Sequence, residues 1–137
     1  MNVGDRMKRL LAILTVILVL TVGFIGLKFG SALTQEGNPV PYLKAIIQYE
    51  LSGVSFKEVV ENQYHIRYVS GSKEQDPYRP VKDFMKNHGW AFKEQIGSGL
   101  VFVKDGGRVT VETRQYSESY DLWDVPKEIE GSNNTRE

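Results

Sequence analysis

The sequence predicts an N-terminal transmembrane helix followed by a small two-layer α+β domain, with two helices on one face of an antiparallel sheet of four to six strands. Three observations carry this reading. Leu10 to Leu27 is apolar and uncharged throughout. A helix, a glycine stop and two alternating segments then occur twice, and Asp105-Gly106-Gly107 marks a tight hairpin because successive positive φ angles suit glycine.

The elements follow in order. Residues 1–9 form a basic cytoplasmic N-terminus, and 10–27 is long enough to cross most of a hydrocarbon core of about 30 Å. Apolar side chains occupy every face of this run, which disfavours an amphipathic surface helix. Arg6, Lys8 and Arg9 precede it against Asp5 alone, so the positive-inside rule places Met1 in the cytoplasm and the rest outside. A cleaved signal peptide, cut after Ala32, is the competing expectation. The run exceeds the usual apolar region of about 7–15 residues, which favours the anchor. Gly26 and Gly30 make only a weak helix-pairing motif at the edge of the span.

Residues 28–40 read as a juxtamembrane linker and 41–126 as the folded domain. Pro41 is preorganised for a first helical turn, and Leu43, Ile46, Ile47, Tyr49 and Leu51 supply an apolar face up to the cap at Gly53. Val54, Phe56 and Val60 suggest one strand, and Tyr64, Ile66 and Tyr68 a second. The pattern recurs with Val81, Phe84 and Met85 on a helix stopped by Gly89, then Trp90 to Glu94 and Leu100 to Lys104. Aligning GVSFKE (53–58) with GWAFKE (89–94) matches Gly, Phe, Lys and Glu, so the domain reads as two αββ units. Gly97-Ser98-Gly99 serves as a hairpin turn, with room for a partner backbone. Arg108 to Tyr116 is a long alternating strand, and Tyr120 to Trp123 a short last strand or extended tail. Phe56, Phe84, Trp90, Phe92, Phe102 and Trp123 are the expected core. Residues 127–137, charged and rich in Asn, read as a disordered tail carrying a low-weight sequon at Asn133.

The chemistry is bounded by what the chain lacks. Seventeen Lys and Arg balance seventeen Asp and Glu, so there is no basic stripe for nucleic acid. Without cysteine and with two histidines, His65 and His88, thiolate or multi-imidazole metal sites are not expected, and no cofactor is expected either. Glu58 and Glu94 are equivalent in the repeat and form the one carboxylate pair that suits a carbohydrate hydrolase. Strand-end solvation of both makes an enzyme the less favoured reading. The aromatics exceed what a small core encloses, so Tyr68, Tyr78, Tyr116, Tyr120 and Trp123, with Arg67 and Arg114, are the expected binding surface.

The size and organisation suit a bacterial cell-envelope protein, anchored through Leu10–Leu27 and binding an envelope protein or cell-wall polymer. A hydrolase using the paired glutamates is one alternative. A small accessory subunit acting through its span is the other.

Overall fold

The computed structural model describes residues 2–35 and 37–131. They form two compact units that divide after Gly37. The first is helix α1 (Val3–Gln35), whose 33 residues extend about 50 Å at 1.5 Å each. Its segment Val3–Lys28 is long and apolar enough to cross a membrane, and none of its most apolar window is buried. Thr15 and Thr21 donate their hydroxyls to the carbonyls of Leu11 and Ile17, each at 2.8 Å. The polar groups inside the apolar run are thus satisfied within the helix, as a lipid phase requires. Helix extends through most of the segment expected to be a linker.

The second unit contains α2 (Val40–Ser52), β1 (Lys57–Glu61), β2 (His65–Gly71), α3 (Arg79–Asn87), β3 (Ala91–Ile96), β4 (Gly99–Lys104), β5 (Gly107–Ser117), β6 (Tyr120–Pro126) and α4 (Lys127–Gly131). The six strands form one antiparallel sheet in the order β1-β2-β6-β5-β4-β3. The α+β class, the leading apolar helix and the αββ order of both halves are as the sequence predicts. Gly53 ends α2 at φ 65°, and the β4–β5 turn is made by Asp105 and Gly106 at φ 49° and 78°. Of the two expectations for Tyr120 to Trp123, the strand holds and the extended tail does not: β6 is longer, to Pro126, and is a central strand paired on both sides.

Strand parity defines the two faces of the sheet. One face carries Ile66, Tyr68, Leu100, Phe102, Val111, Trp123 and Val125, covered by Val81, Phe84 and Met85 of α3 and by Ile129 of α4. Phe56 closes its rim, with ring centroids 5.4 Å from Tyr68, 5.6 Å from Phe84 and 5.3 Å from Trp123. The Trp123 indole donates to buried Ser70 at 3.1 Å, so the ring is enclosed without an orphan donor. Of the expected core, Phe84, Phe102 and Trp123 are buried, Phe56 and Trp90 pack partly against them, and Phe92 remains 42% exposed on the edge strand.

The opposite face carries Arg67, Val69, Leu122 and Asp124, and α2 packs there. Tyr42 of α2 stacks on Tyr116 at 5.4 Å and accepts a hydrogen bond from Arg67. Tyr49 meets Tyr120 edge-on and lies so close to Gly71 that a Cβ there would sit 2.8 Å from its hydroxyl. The helices therefore lie on opposite faces, and the domain has three layers rather than the predicted two. Because α2 ends on one face and Phe56 plugs the other, residues 53–56 pass around the β1 edge.

The repeat is topological, and its register differs from that of the matching residues. Pairs Lys57–Val69, Glu58–Tyr68 and Val60–Arg67 in the first hairpin correspond to Ala91–Val103, Phe92–Phe102 and Glu94–Val101 in the second, with bulges at Val59 and Lys93. Glu58 is thus the counterpart of Phe92, two residues away from the match with Glu94 that sequence identity suggests. The expected disordered tail also begins differently. Residues 127–131 are helical, Ile129 is fully buried, Lys127 pairs with Glu61 at 2.5 Å, and Tyr68 donates to Glu130 at 2.5 Å. The remainder of the tail, with the sequon, lies outside the described residues.

Candidate functional site

The α2-side face of the sheet is only half covered. Helix α2 lies over the β1-β2-β6 side and reaches Tyr116 of β5, while Thr110, Glu112 and Arg114 of β5 and the residues of β3 are exposed. A depression of about 250 Å³ runs along the boundary, lined by Arg67, Ser98, Glu112, Thr113, Arg114, Leu122 and Asp124. Ser98, Thr113 and Arg114 also line a larger depression of about 650 Å³, which continues around the sheet end to Ser72, Tyr78, Gln115 and Asp121. They share Ser98, Thr113 and Arg114, so the open, polar cleft has an α2-side part at Arg67, Glu112, Arg114 and Asp124 and, by strand parity, a part toward the opposite face at Tyr78 and Asp121.

Its walls are held from several directions. Arg67 makes a fork on Asp124, Nε to Oδ1 at 2.6 Å and Nη2 to Oδ2 at 2.8 Å, while Nη1 reaches the Tyr42 hydroxyl at 3.0 Å. The bond to Asp124 raises the Arg67 pKa further above its already high ordinary value, so this cation is permanent. The Ser98 carbonyl accepts from both the N–H and the hydroxyl of Thr113, at 2.9 and 2.7 Å, which ties the β3–β4 turn to β5. The Ser98 hydroxyl donates to Glu112 at 3.2 Å. Asp76 accepts the Tyr78 N–H and the Lys82 ammonium, each at 3.0 Å, and thereby sets the start of α3 and the place of Tyr78. The bond from Lys82 holds the Asp76 carboxyl below its ordinary range. Burial pushes the Asp121 carboxyl above that range, against a smaller opposing effect of Ser72.

Of the expected binding residues, Arg67, Tyr78 and Arg114 line this cleft. Tyr68, Tyr116, Tyr120 and Trp123 do not form a surface, since all are below 9% exposed. Their polar tips find partners inside the fold: Tyr68 on Glu130, Tyr120 on Glu50 and Trp123 on Ser70. Burial, then the neighbouring carboxylate, pushes the Tyr68 and Tyr120 hydroxyls far above the ordinary tyrosine range, so both stay protonated donors.

The chain matches no protein-family model, curated protein or solved structure. What the cleft can bind follows from its donors and acceptors.

Glu58 and Glu94 do not meet. They occupy β1 and β3, the two edges of the sheet, separated by five strand spacings of about 4.8 Å, or about 24 Å in all. Cooperating glycosidase carboxylates stand about 5–9.5 Å apart. The bulge at Lys93 also turns Glu94 to the opposite face, where it pairs with Arg108 at 3.5 Å. This geometry overturns the paired-glutamate hydrolase. His65 is exposed, and His88 stacks on Phe84 with its Nδ1 at 2.8 Å from the Phe84 carbonyl. Neither lines the cleft, so the Ser98–Glu112 contact has no imidazole beside it. Among the described residues no three of His, Asp and Glu converge as a metal site.

Sequence reasoning missed Glu112, Thr113 and Asp121 as cleft residues. Alternation put Glu112 on a wet strand face, but nothing local joins it to Ser98. The available signal was the Gly97-Ser98-Gly99 turn, read as a place where a partner chain can approach.

Proposed function

We propose that this chain is a single-span bacterial envelope protein, N-terminus in the cytoplasm, that presents a non-enzymatic α+β binding domain outside. The observation that carries this reading is α1: within Val3–Lys28, which is long and apolar enough to cross a membrane, Leu10–Leu27 has no charge on any face, is exposed, and closes its own threonine hydrogen bonds. Arg6, Lys8 and Arg9 before the apolar run support the inward N-terminus. The tether then concentrates the domain at the membrane surface, where even modest contacts suffice.

The cleft is the proposed ligand site. Arg67 and Arg114 stand against Glu112, Asp121 and Asp124, so cations and carboxylates nearly balance. Such a surface suits a neutral or zwitterionic segment rich in hydrogen-bonding groups, as in an envelope protein loop or a cell-wall polymer. The test is site-specific crosslinking in native membranes from Ser98→Cys, with Lys86→Cys on the far side of the sheet as control. The expected result is a defined adduct with an envelope component from Ser98→Cys, absent from the control and lost in Arg114→Glu. Equal adducts from both positions contradict the proposal.

A further inference from the structure

Neither the core nor the cleft uses the outward side of α2. There Val40 is 64% exposed, Ile47 57% and Leu51 83%, all opposite the buried Tyr42, Ala45 and Ile46. Lys44 stands among them on the same side of the helical turn sequence. We infer that this stripe lies in the headgroup boundary of the membrane that α1 crosses, an inference that rests on the anchor reading above.

A helix that packs one face on a sheet and turns the other to water carries polar groups outside. Helix α3 obeys this rule, with exposed Asp83, Lys86 and Asn87. Helix α2 departs from it along the line of Val40, Ile47 and Leu51, which is exposed between Lys44 and Gln48 on one flank and Glu50 on the other. Its charges complete the pattern of an interfacial helix. Lys44 is its one cation, and a lysine stem lets the ammonium reach lipid phosphates while apolar neighbours enter the acyl boundary. Glu50, its one carboxylate, accepts a hydrogen bond from Tyr120, which turns it toward the domain.

Chain continuity supplies the occupant. The stripe begins at Val40, shortly after the apolar segment ends at Lys28, and helix continues to Gln35. At 1.5 Å per helical residue and at most about 3.6 Å per extended one, Val40 stays within about 30 Å of the membrane surface whatever the orientation of the domain. Lipid is therefore an apolar phase always within reach. A second copy is a poorer occupant, because a few side chains fall well short of the roughly 800 Å² per partner of a stable protein interface.

The chain has no cysteine, so single-cysteine variants report single positions. Ile47→Cys, Leu51→Cys and Lys86→Cys replace exposed residues and leave the core intact. Each full-length variant is labelled with a polarity-sensitive fluorophore and reconstituted into phosphatidylcholine–phosphatidylglycerol vesicles, with or without acyl-chain nitroxide lipid. The expected result is blue-shifted emission and nitroxide quenching at Ile47→Cys and Leu51→Cys, with water-like emission at Lys86→Cys. Equal, water-like emission at all three positions, in protein that floats with the vesicles, overturns the lipid contact and leaves the anchor standing. Blue-shifted emission that rises with protein density and ignores the nitroxide identifies a second copy and overturns it too. Protein that does not float with the vesicles overturns the anchor and the lipid contact together.

Discussion

Helices α2 and α3 open the two αββ units and sit on opposite sides of one sheet, yet they solve different problems. Helix α3 is strongly two-sided: Pro80, Val81, Phe84 and Met85 are buried, and polar residues face out. Helix α2 buries Tyr42, Ala45 and Ile46 while leaving Ile47 and Leu51 exposed. The α3 side is a dry aromatic core. The α2 side is a layer of tyrosines, an arginine–carboxylate fork and, beyond the helix, an open polar cleft. Topological repetition has therefore produced one dry aromatic face and another that joins buried residues such as Ala45, Val69 and Leu122 to an exposed polar region.

The comparison is broken most severely by striking the dry side. Trp123→Ala removes the ring on which Tyr68 stacks at 4.6 Å and should cost about 3–5 kcal/mol, read as a lowered denaturant midpoint of the full chain in detergent. Ile129→Ala, on the same side, should cost about 2–4 kcal/mol, although composition marks its segment as a solvated tail. An unchanged midpoint would remove α4 from the core.

On the α2 side, Arg67→Met leaves Asp124 and Tyr42 without their shared donor. Both members of the ion pair are about a quarter exposed, so the expected loss is moderate, about 2 kcal/mol, smaller than for Trp123→Ala. Asp121, at the sheet end on the Trp123 face of β6, sharpens the comparison through pH. Its folded pKa is raised, so its contribution is fully present below the unfolded carboxyl range and is lost as pH rises through the folded value. Asp121→Asn avoids that loss. Its thermal midpoint should exceed that of the parent at pH 7, and the gap should close near pH 3; a lower midpoint at pH 7 would show that the charged carboxylate is stabilised. The smallest effect is expected from Leu51→Gln, within about 0.5 kcal/mol in detergent, because the side chain supports nothing inside the domain.

The contrast also explains what was legible in the sequence. Helix α3, the β4–β5 hairpin and the leading span carry local signals strong enough to read directly: a clean amphipathic period, an Asp-Gly-Gly turn and an uninterrupted apolar run. Helix α2 carries apolar residues on both sides, so its period does not distinguish buried Ile46 from exposed Ile47 and Leu51. The bulge at Lys93 has no mark in the sequence, yet it decides that Glu94 leaves the face of Phe92. Tyr68 and Tyr120 resembled a binding surface because their partners, Glu130 and Glu50, lie far away along the chain. The burial of Ile129 is not legible because a single apolar residue among charges has no period to betray it. The cleft is half legible: Arg67, Tyr78 and Arg114 stand out as polar or aromatic residues in the sequence, whereas Glu112 and Asp121 join them only through strand pairing.

The most direct test of the anchored, outward-facing domain is impermeant thiol labelling of the cysteine-free chain carrying Asn2→Cys or Lys86→Cys in intact cells, followed by carbonate extraction. The account predicts that Lys86→Cys is labelled from outside, that Asn2→Cys is labelled only after permeabilisation, and that both proteins stay in the membrane pellet. Labelling in the reverse order, or Lys86→Cys protein released into the medium with a shortened N-terminus, would contradict it.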